Sequence, residues 1–94
     1  MVMKWAGFTP AQYETIRRTV NWEGDHPKGA VFHVAGFDKD GARVTDIWES
    51  EEEFNDFVQN RLMPGTAAAG IPGEPQVEIF PVHAIFVPDA QRLS

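Results

Sequence analysis

The chain has 94 residues, of which 43% are hydrophobic, and it contains no cysteine. This length predicts one globular domain, and the lack of cysteine excludes disulfides, thiolate catalysis and cysteine-based metal centres. Eight basic residues are scattered among fourteen acidic ones, giving a net charge of −6, so we expect no nucleic-acid partner.

The first part of the chain predicts a strand followed by a helix. Val2–Ala6 is short and apolar, as strands are, and a glycine follows it. Thr9 followed by Pro10 is typical of a helix start, and Gln12 completes a capping box. Apolar residues at helical spacing, beginning with Tyr13, extend this helix to about residue 21.

Two strands joined by a tight turn come next. The segments Gly29–Phe37 and Ala42–Ser50 are rich in β-branched and aromatic residues, and a turn sequence, Asp38–Gly41, separates them. Both segments are apolar on both faces, whereas a sheet with one wet face alternates apolar and polar side chains. We therefore expect both faces of this sheet to be covered.

The last part of the chain predicts a second helix and a final strand. Ser50 and the three glutamates after it are typical of a helix start, and apolar residues follow at helical spacing over 54–62. Pro64 should interrupt or kink this helix. A strand is predicted over Gln76–Val87, and Pro81 favours an edge position because proline cannot donate to a ladder.

The predicted order of elements is therefore β-α-β-β-α-β. With right-handed crossovers this order gives an α+β, ferredoxin-like fold, a four-stranded antiparallel sheet with both helices on one face. The other face is left bare, so we expect a homodimer formed through the sheet face. We expect one domain over residues 1–87 and a C-terminal tail over residues 88–94.

Sequence signals for a membrane or an export pathway are lacking. The N-terminal segment has no apolar run long enough for a signal peptide, and nowhere do about 18 apolar residues run together. We therefore expect a soluble, cytoplasmic protein with no membrane partner.

Several of these segments together carry a family resemblance. They are the Asp40-Gly41 turn, the segment Asp46–Ser50 with its glutamate-rich helix start, the pair Phe54 and Phe57, and the closing segment Val77–His83. This pattern resembles the dimeric α+β barrel superfamily and, within it, the small antibiotic-biosynthesis-monooxygenase-like proteins. The resemblance implies sheets paired across a two-fold axis and a pocket between each sheet and its helices.

The resemblance also implies a choice among oxygenase, haem-degrading and polyketide-cyclase chemistry. In the oxygenases a tryptophan on the third strand belongs to the site, and Trp48 matches it. An asparagine on the same strand also belongs there, and this chain has Val44 at that position. In the haem degraders a histidine ligand lies on the following helix, where this chain has Val58. Haem degradation of that type is therefore not expected.

The hairpin residues themselves suggest proton transfer. A two-residue loop at Lys39-Asp40 would pair His33 with Asp46 and Val31 with Trp48, placing His33, Asp46 and Trp48 on one face. The carboxylate would orient the imidazole and raise its basicity, which suits a general base. A three-residue loop would break this arrangement. With either loop, the alternative to a site role is that His33 is a half-buried strand residue satisfied by the strand or the dimer interface.

The candidate substrate-binding residues are Trp48, Tyr13, Val44, Phe57 and His83. Trp48 suits either a wall that stacks on a flat substrate or a core residue that locks the third strand to a helix. Tyr13 lies on the inner stripe of the first helix, where its hydroxyl would point into a cavity or reach out from the core. His83, in the last strand, has a structural role at the subunit interface as its alternative. No histidine spacing predicts a metal site, and we expect no cofactor.

Together with the resemblance, these inferences predict a small homodimeric α+β barrel protein of unproven activity, which the resemblance implies is a cofactor-independent monooxygenase-like enzyme acting on a small apolar or aromatic metabolite. His33 would be the general base and Asp46 its orienting partner. The alternatives are a polyketide-cyclase-like enzyme with a histidine general base, and a non-catalytic small-molecule binder or structural partner protein. A cavity lined by His33, Asp46 and Trp48 would favour an enzyme. An interior filled by side chains would favour the binder or structural partner.

Overall fold

The computed structural model describes residues 1–89, so residues 90–94 of the predicted tail lie outside the described residues. In chain order its elements are β1 (Val2–Ala6), α1 (Pro10–Val20), β2 (Ala30–Asp38), β3 (Gly41–Trp48), α2 (Glu51–Phe57), a π-helical segment (Val58–Leu62), α3 (Met63–Ala68) and β4 (Gln76–Glu78). The chain is therefore a mixed α+β protein, as its sequence predicts.

The four strands form one open antiparallel sheet in the order β2-β3-β1-β4. The last strand therefore lies at an edge, which is the predicted position. This arrangement is compatible with a ferredoxin-like α+β fold. The hairpin of β2 and β3 forms the opposite half of the sheet, and most of the candidate site residues lie on it.

The first helix is fixed at both ends by its own residues. The Gln12 backbone N–H donates to the Thr9 hydroxyl over 3.1 Å, and the Thr9 N–H donates to the Gln12 side chain over 3.0 Å. Pro10 takes the first helical position. Asn21 ends the helix in the left-handed conformation with a φ of 57°, which turns the chain back towards the helix.

Both main helices pack on the same face of the sheet, hereafter the inner face. The core cluster consists of Trp5, Phe8, Ile16, Val20 and Ala42. Strand residues of this cluster alternate along β1 and β3 with residues on the outer face, so they point towards α1. Burying these large side chains against the helix is the main source of stability for so small a domain.

Pro64 does not end the second helical region, so of the two expected outcomes, an interruption or a kink, the interruption does not occur. The helix widens into the π-helical segment, where the Met63 N–H donates to the Val58 carbonyl, and continues as α3. Pro64 then lies in the first turn of α3, where a missing N–H costs little. The wider turn thus accommodates the proline without ending the helix.

The predicted strand over Gln76–Val87 is wrong beyond Glu78. Glu78 pairs with Val2, the first residue of β1, so the residues that follow have almost no neighbouring strand to pair with. Pro81 also lacks the N–H that a ladder requires. The segment that follows, residues 79–87, has no regular structure and exposes six large apolar side chains, with Phe86 at 86%.

Candidate functional site

A cavity of about 310 Å³ lies between the inner face of the sheet and the helices α1 and α2. Six of the predicted site residues line it: Tyr13, His33, Val44, Asp46, Trp48 and Phe57. Most of the other lining residues are apolar or aromatic, as is usual for cavities that bind small apolar molecules. The interior next to the predicted residues is therefore not filled by side chains.

The β2–β3 hairpin closes with the two-residue loop at Lys39-Asp40, one of the two loop lengths that the sequence left open. Asp38 pairs with Gly41 across it, and the same register places His33 opposite Asp46. The Asp38 carboxylate holds the turn by accepting from the N–H groups of Asp40, over 2.8 Å, and Gly41, over 3.1 Å. The turn thus determines which side chains face the cavity.

The register changes only beyond His33, where the pairing is irregular at Val31. Trp48 pairs with Ala30 and Ile47 pairs with Phe32, so the predicted pairing of Val31 with Trp48 is wrong. A β-bulge leaves one residue without a partner and is not visible in an alternating sequence pattern. His33, Asp46 and Trp48 nevertheless face the same cavity.

His33 and Asp46 form a hydrogen-bonded pair on the cavity wall. His33 Nδ1 lies 2.6 Å from Asp46 Oδ1, and Trp48 Nε1 donates to Asp46 Oδ2 over 3.1 Å. A carboxylate only accepts, so Nδ1 carries a proton and Nε2 of the neutral imidazole is the basic nitrogen. Asp46 is only 8% exposed, and these two donors compensate for its burial.

Tyr13 completes this group from helix α1. Its hydroxyl lies 2.9 Å from His33 Nε2, and the two rings are parallel to within 5°. Burial raises the pKa of the Tyr13 phenol above its usual value of 10.0, so the phenol keeps its proton at neutral pH and donates it to Nε2. The four side chains therefore form one chain of hydrogen bonds, Trp48–Asp46–His33–Tyr13.

The loop after α1 supplies a part of the cavity that the sequence analysis missed. Four residues of this loop line the cavity: Trp22, Glu23, His26 and Pro27. The ring centroids of Trp22 and His33 are 5.6 Å apart. Asn21 was the one signal available in the sequence, because asparagine can end a helix in the left-handed conformation. The apolar residue that follows such an end, here Trp22, commonly packs back onto the helix. Loop residues show no periodicity, so their inward direction was otherwise invisible.

The Glu23 carboxylate, which belongs to the cavity lining, is held in an ion pair with Arg17. Arg17 donates to both carboxylate oxygens of Glu23, with Nη2 to Oε2 at 2.9 Å. These bonds hold the pKa of the Glu23 carboxyl below its usual range. Glu23 is therefore ionised and engaged with Arg17, which leaves the imidazole of His33 as the better placed base.

His83 lies apart from this group. It is exposed within residues 79–87 and does not line the cavity, so its predicted place among the alternating residues of a strand is wrong. Within residues 1–89, no three His, Asp or Glu side chains converge as metal ligands would. The arrangement therefore offers a largely apolar cavity whose wall carries the hydrogen-bonded chain Trp48–Asp46–His33–Tyr13.

Comparison of the chain with models of protein families, with curated proteins and with solved structures finds no match. None of the helices within residues 1–89 combines the length and the apolar character that a membrane span needs.

Proposed function

We propose that this protein is a cofactor-independent monooxygenase-like enzyme that acts on a small, flat, largely apolar carbon acid. The single observation that supports this is the His33–Asp46 pair in the wall of the cavity of about 310 Å³. A histidine oriented by a carboxylate is a common general base, and an apolar site strengthens its interaction with a substrate anion. His33 is the base, Asp46 stabilises the imidazolium, and Trp48, Val44 and Phe57 contact the substrate body.

The reaction starts with transfer of a proton from a methylene group of the substrate to His33. The resulting carbanion is delocalised over the aromatic system and gives its electrons to dioxygen, the second substrate. A carbon–oxygen bond forms, and the returned proton yields a hydroperoxide. Loss of water from the hydroperoxide leaves a ketone, so a methylene and one dioxygen become one carbonyl and one water. The apolar lining limits premature protonation of the carbanion by water.

We also propose that the chain is a dimeric α+β barrel protein. The order of elements, the two helices on one face and an apolar patch on the other face support this. The outer patch consists of Val2, Val34 and Ile47, whose positions alternate with the inner residues of their strands. Two copies that pair these patches would bury them in an isologous interface.

Anthrone is a suitable first substrate because it is flat, apolar and acidic at one methylene. We expect the protein to consume one dioxygen per anthraquinone formed, above the rate without protein. His33→Gln should lower this rate by about 10²-fold or more, because it removes the base while keeping a polar side chain of similar length. His83→Gln is the matched control and should leave the rate unchanged. An oxygen electrode and anthraquinone absorbance measure both.

Equal rates for wild type and His33→Gln would exclude His33 as the base. Conversion of an unsaturated polyketone without dioxygen uptake would instead indicate the cyclase. A non-catalytic binder is the second candidate, since both imidazole nitrogens are already hydrogen-bonded in the resting site. Anthrone binding without proton exchange or turnover would establish that alternative.

A further inference from the structure

The basic nitrogen of His33 is not open to the cavity in the resting protein. Nε2 accepts the Tyr13 hydroxyl at 2.9 Å, while Nδ1 is engaged by Asp46 at 2.6 Å. A substrate that donated directly to Nε2 would first have to displace Tyr13. The following inference rests on the proposed function, in which His33 is the final proton acceptor.

The surroundings of Tyr13 hold its ring in place. Its ring is parallel to that of His33. It also makes edge contacts with the rings of Trp22 and Phe37, at centroid-to-centroid distances of 5.7 Å and 5.9 Å. Displacing the hydroxyl would disturb these ring contacts and leave a half-buried phenol without its partner. It is therefore easier for a substrate to meet Tyr13 than to replace it.

The Tyr13 oxygen can accept a hydrogen bond from the cavity side. A phenol has one proton to donate and lone pairs that accept, and the single proton is used on His33 Nε2. Tyr13 lines the cavity and its hydrogen bond to His33 is exposed, so a bound molecule can approach its oxygen. The polar chain of the cavity thus ends at an acceptor and suits a substrate that presents an acidic hydrogen.

We propose that Tyr13 is a catalytic residue that relays the proton from the substrate to His33. The acidic C–H bond of the substrate breaks as a new O–H bond forms on Tyr13. In the same step the original Tyr13 O–H bond breaks and an N–H bond forms on His33 Nε2. The net result is a substrate anion and an imidazolium paired with Asp46, with Tyr13 unchanged and no electron gained or lost by the protein.

The concerted form of this step follows from the environment of the phenol. Burial disfavours a free tyrosinate, as the raised pKa of Tyr13 indicates. The proton must therefore leave Tyr13 as the substrate proton arrives. The preferred substrate class is a planar carbon acid or phenol, and molecules that can only accept hydrogen bonds should bind without reaction.

Proton exchange without dioxygen isolates this step. Anthrone is dissolved in deuterium oxide under argon with the protein, and loss of its methylene proton signal is followed by NMR. We expect wild type to catalyse exchange at saturating anthrone and Tyr13→Phe to lower the rate by about 10²-fold. His83→Gln should behave as wild type, and His33→Gln should lose the catalysis.

Two further measurements on Tyr13→Phe separate a relay from a structural role. Anthrone binding, followed by tryptophan fluorescence, should be retained, and the downfield proton resonance of His33 Nδ1 should show an intact pair with Asp46. A rate equal to or faster than wild type would overturn the relay and leave the proposed function standing. So would a loss of exchange explained by lost binding or by a lost Nδ1 resonance. Absence of exchange in wild type would overturn the proposed function together with the relay.

Discussion

At the residue scale, Asp46 is the side chain that organises the cavity wall. Its carboxylate accepts from His33 and Trp48, and its backbone exchanges two hydrogen bonds of 2.9 Å with Met1. These contacts fix the carboxylate from both the side-chain and the main-chain directions. Trp48 is therefore both part of the cavity wall and a donor that holds Asp46 in place, a role that its position on a strand does not reveal.

The pH dependence of Tyr13 gives a direct test at this scale. Tyr13 is the only tyrosine, so phenolate absorbance reports on it alone. Burial raises its folded pKa above the usual 10.0, so its contribution to stability is complete below pH 10.0 and is lost as the pH rises through the folded pKa. We expect an absorbance midpoint above the usual value in the native protein and a lower one in urea.

The matched control for this titration is Tyr13→Phe. Its free energy of unfolding should fall less steeply with pH in the same alkaline range, because the phenol no longer gains a proton on folding. Urea unfolding curves at several alkaline pH values measure the difference. The same absorbance midpoint in native and unfolded protein would show that Tyr13 is not shielded from water.

Some residue contacts were predictable from the sequence and others were not. The pair His33 and Asp46 follows from a turn length and an alternation rule, both local properties of the hairpin. The bond from Tyr13 to His33 joins a helix to a strand, and its length depends on how the helix sits on the sheet. Trp22 and His26 come from an irregular loop, whose path no periodic pattern encodes.

At the element scale, the turn between β2 and β3 depends on Gly41. Its φ is +140°, and a Cβ built there would lie 2.2 Å from the Trp5 carbonyl oxygen. We expect Gly41→Ala to lower the free energy of unfolding by about 2–4 kcal/mol, because it adds backbone strain and separates β1 from β3. Urea unfolding measures this change.

Gly36 is the matched control on the same hairpin, since a Cβ there would meet nothing within 4 Å. Gly36→Ala should change the free energy of unfolding by no more than about 0.5 kcal/mol. Equal effects of the two substitutions would mean that the close approach of Trp5 to Gly41 does not constrain the turn.

Helices and strands were predictable where their signals are local. The cap at Thr9 and the hairpin turn are examples, since each depends on a few adjacent residues. The last strand was predicted too long because its length is set by β1, which ends the available ladder at Val2. The π-helical segment was missed because an apolar stripe does not distinguish it from an α-helix.

At the scale of the whole molecule, the proposed dimer is testable at the outer patch. Val34 is 49% exposed on the face opposite the helices. We expect wild type to sediment as a dimer at micromolar concentration and Val34→Glu to sediment as a monomer, because pairing would bury an unpaired carboxylate. Analytical ultracentrifugation measures both.

Gln59→Glu provides the control, since it adds the same charge at an exposed position of the π-helical segment. It should leave the dimer intact. A monomeric wild type at the same concentration would exclude the proposed assembly through this face.

The position of the irregular pairing at Val31 also has an evolutionary consequence. Between His33 and Asp46 the ladder is regular, so the imidazole and the carboxylate lie opposite each other on the same face of the sheet. One residue inserted between His33 and the turn would send one of the two side chains to the opposite face of the sheet. An insertion beyond His33 would leave the pairing of His33 with Asp46 unchanged. The end of β2 remote from the turn can therefore vary in length. The segment between His33 and Asp46 must keep its number of residues.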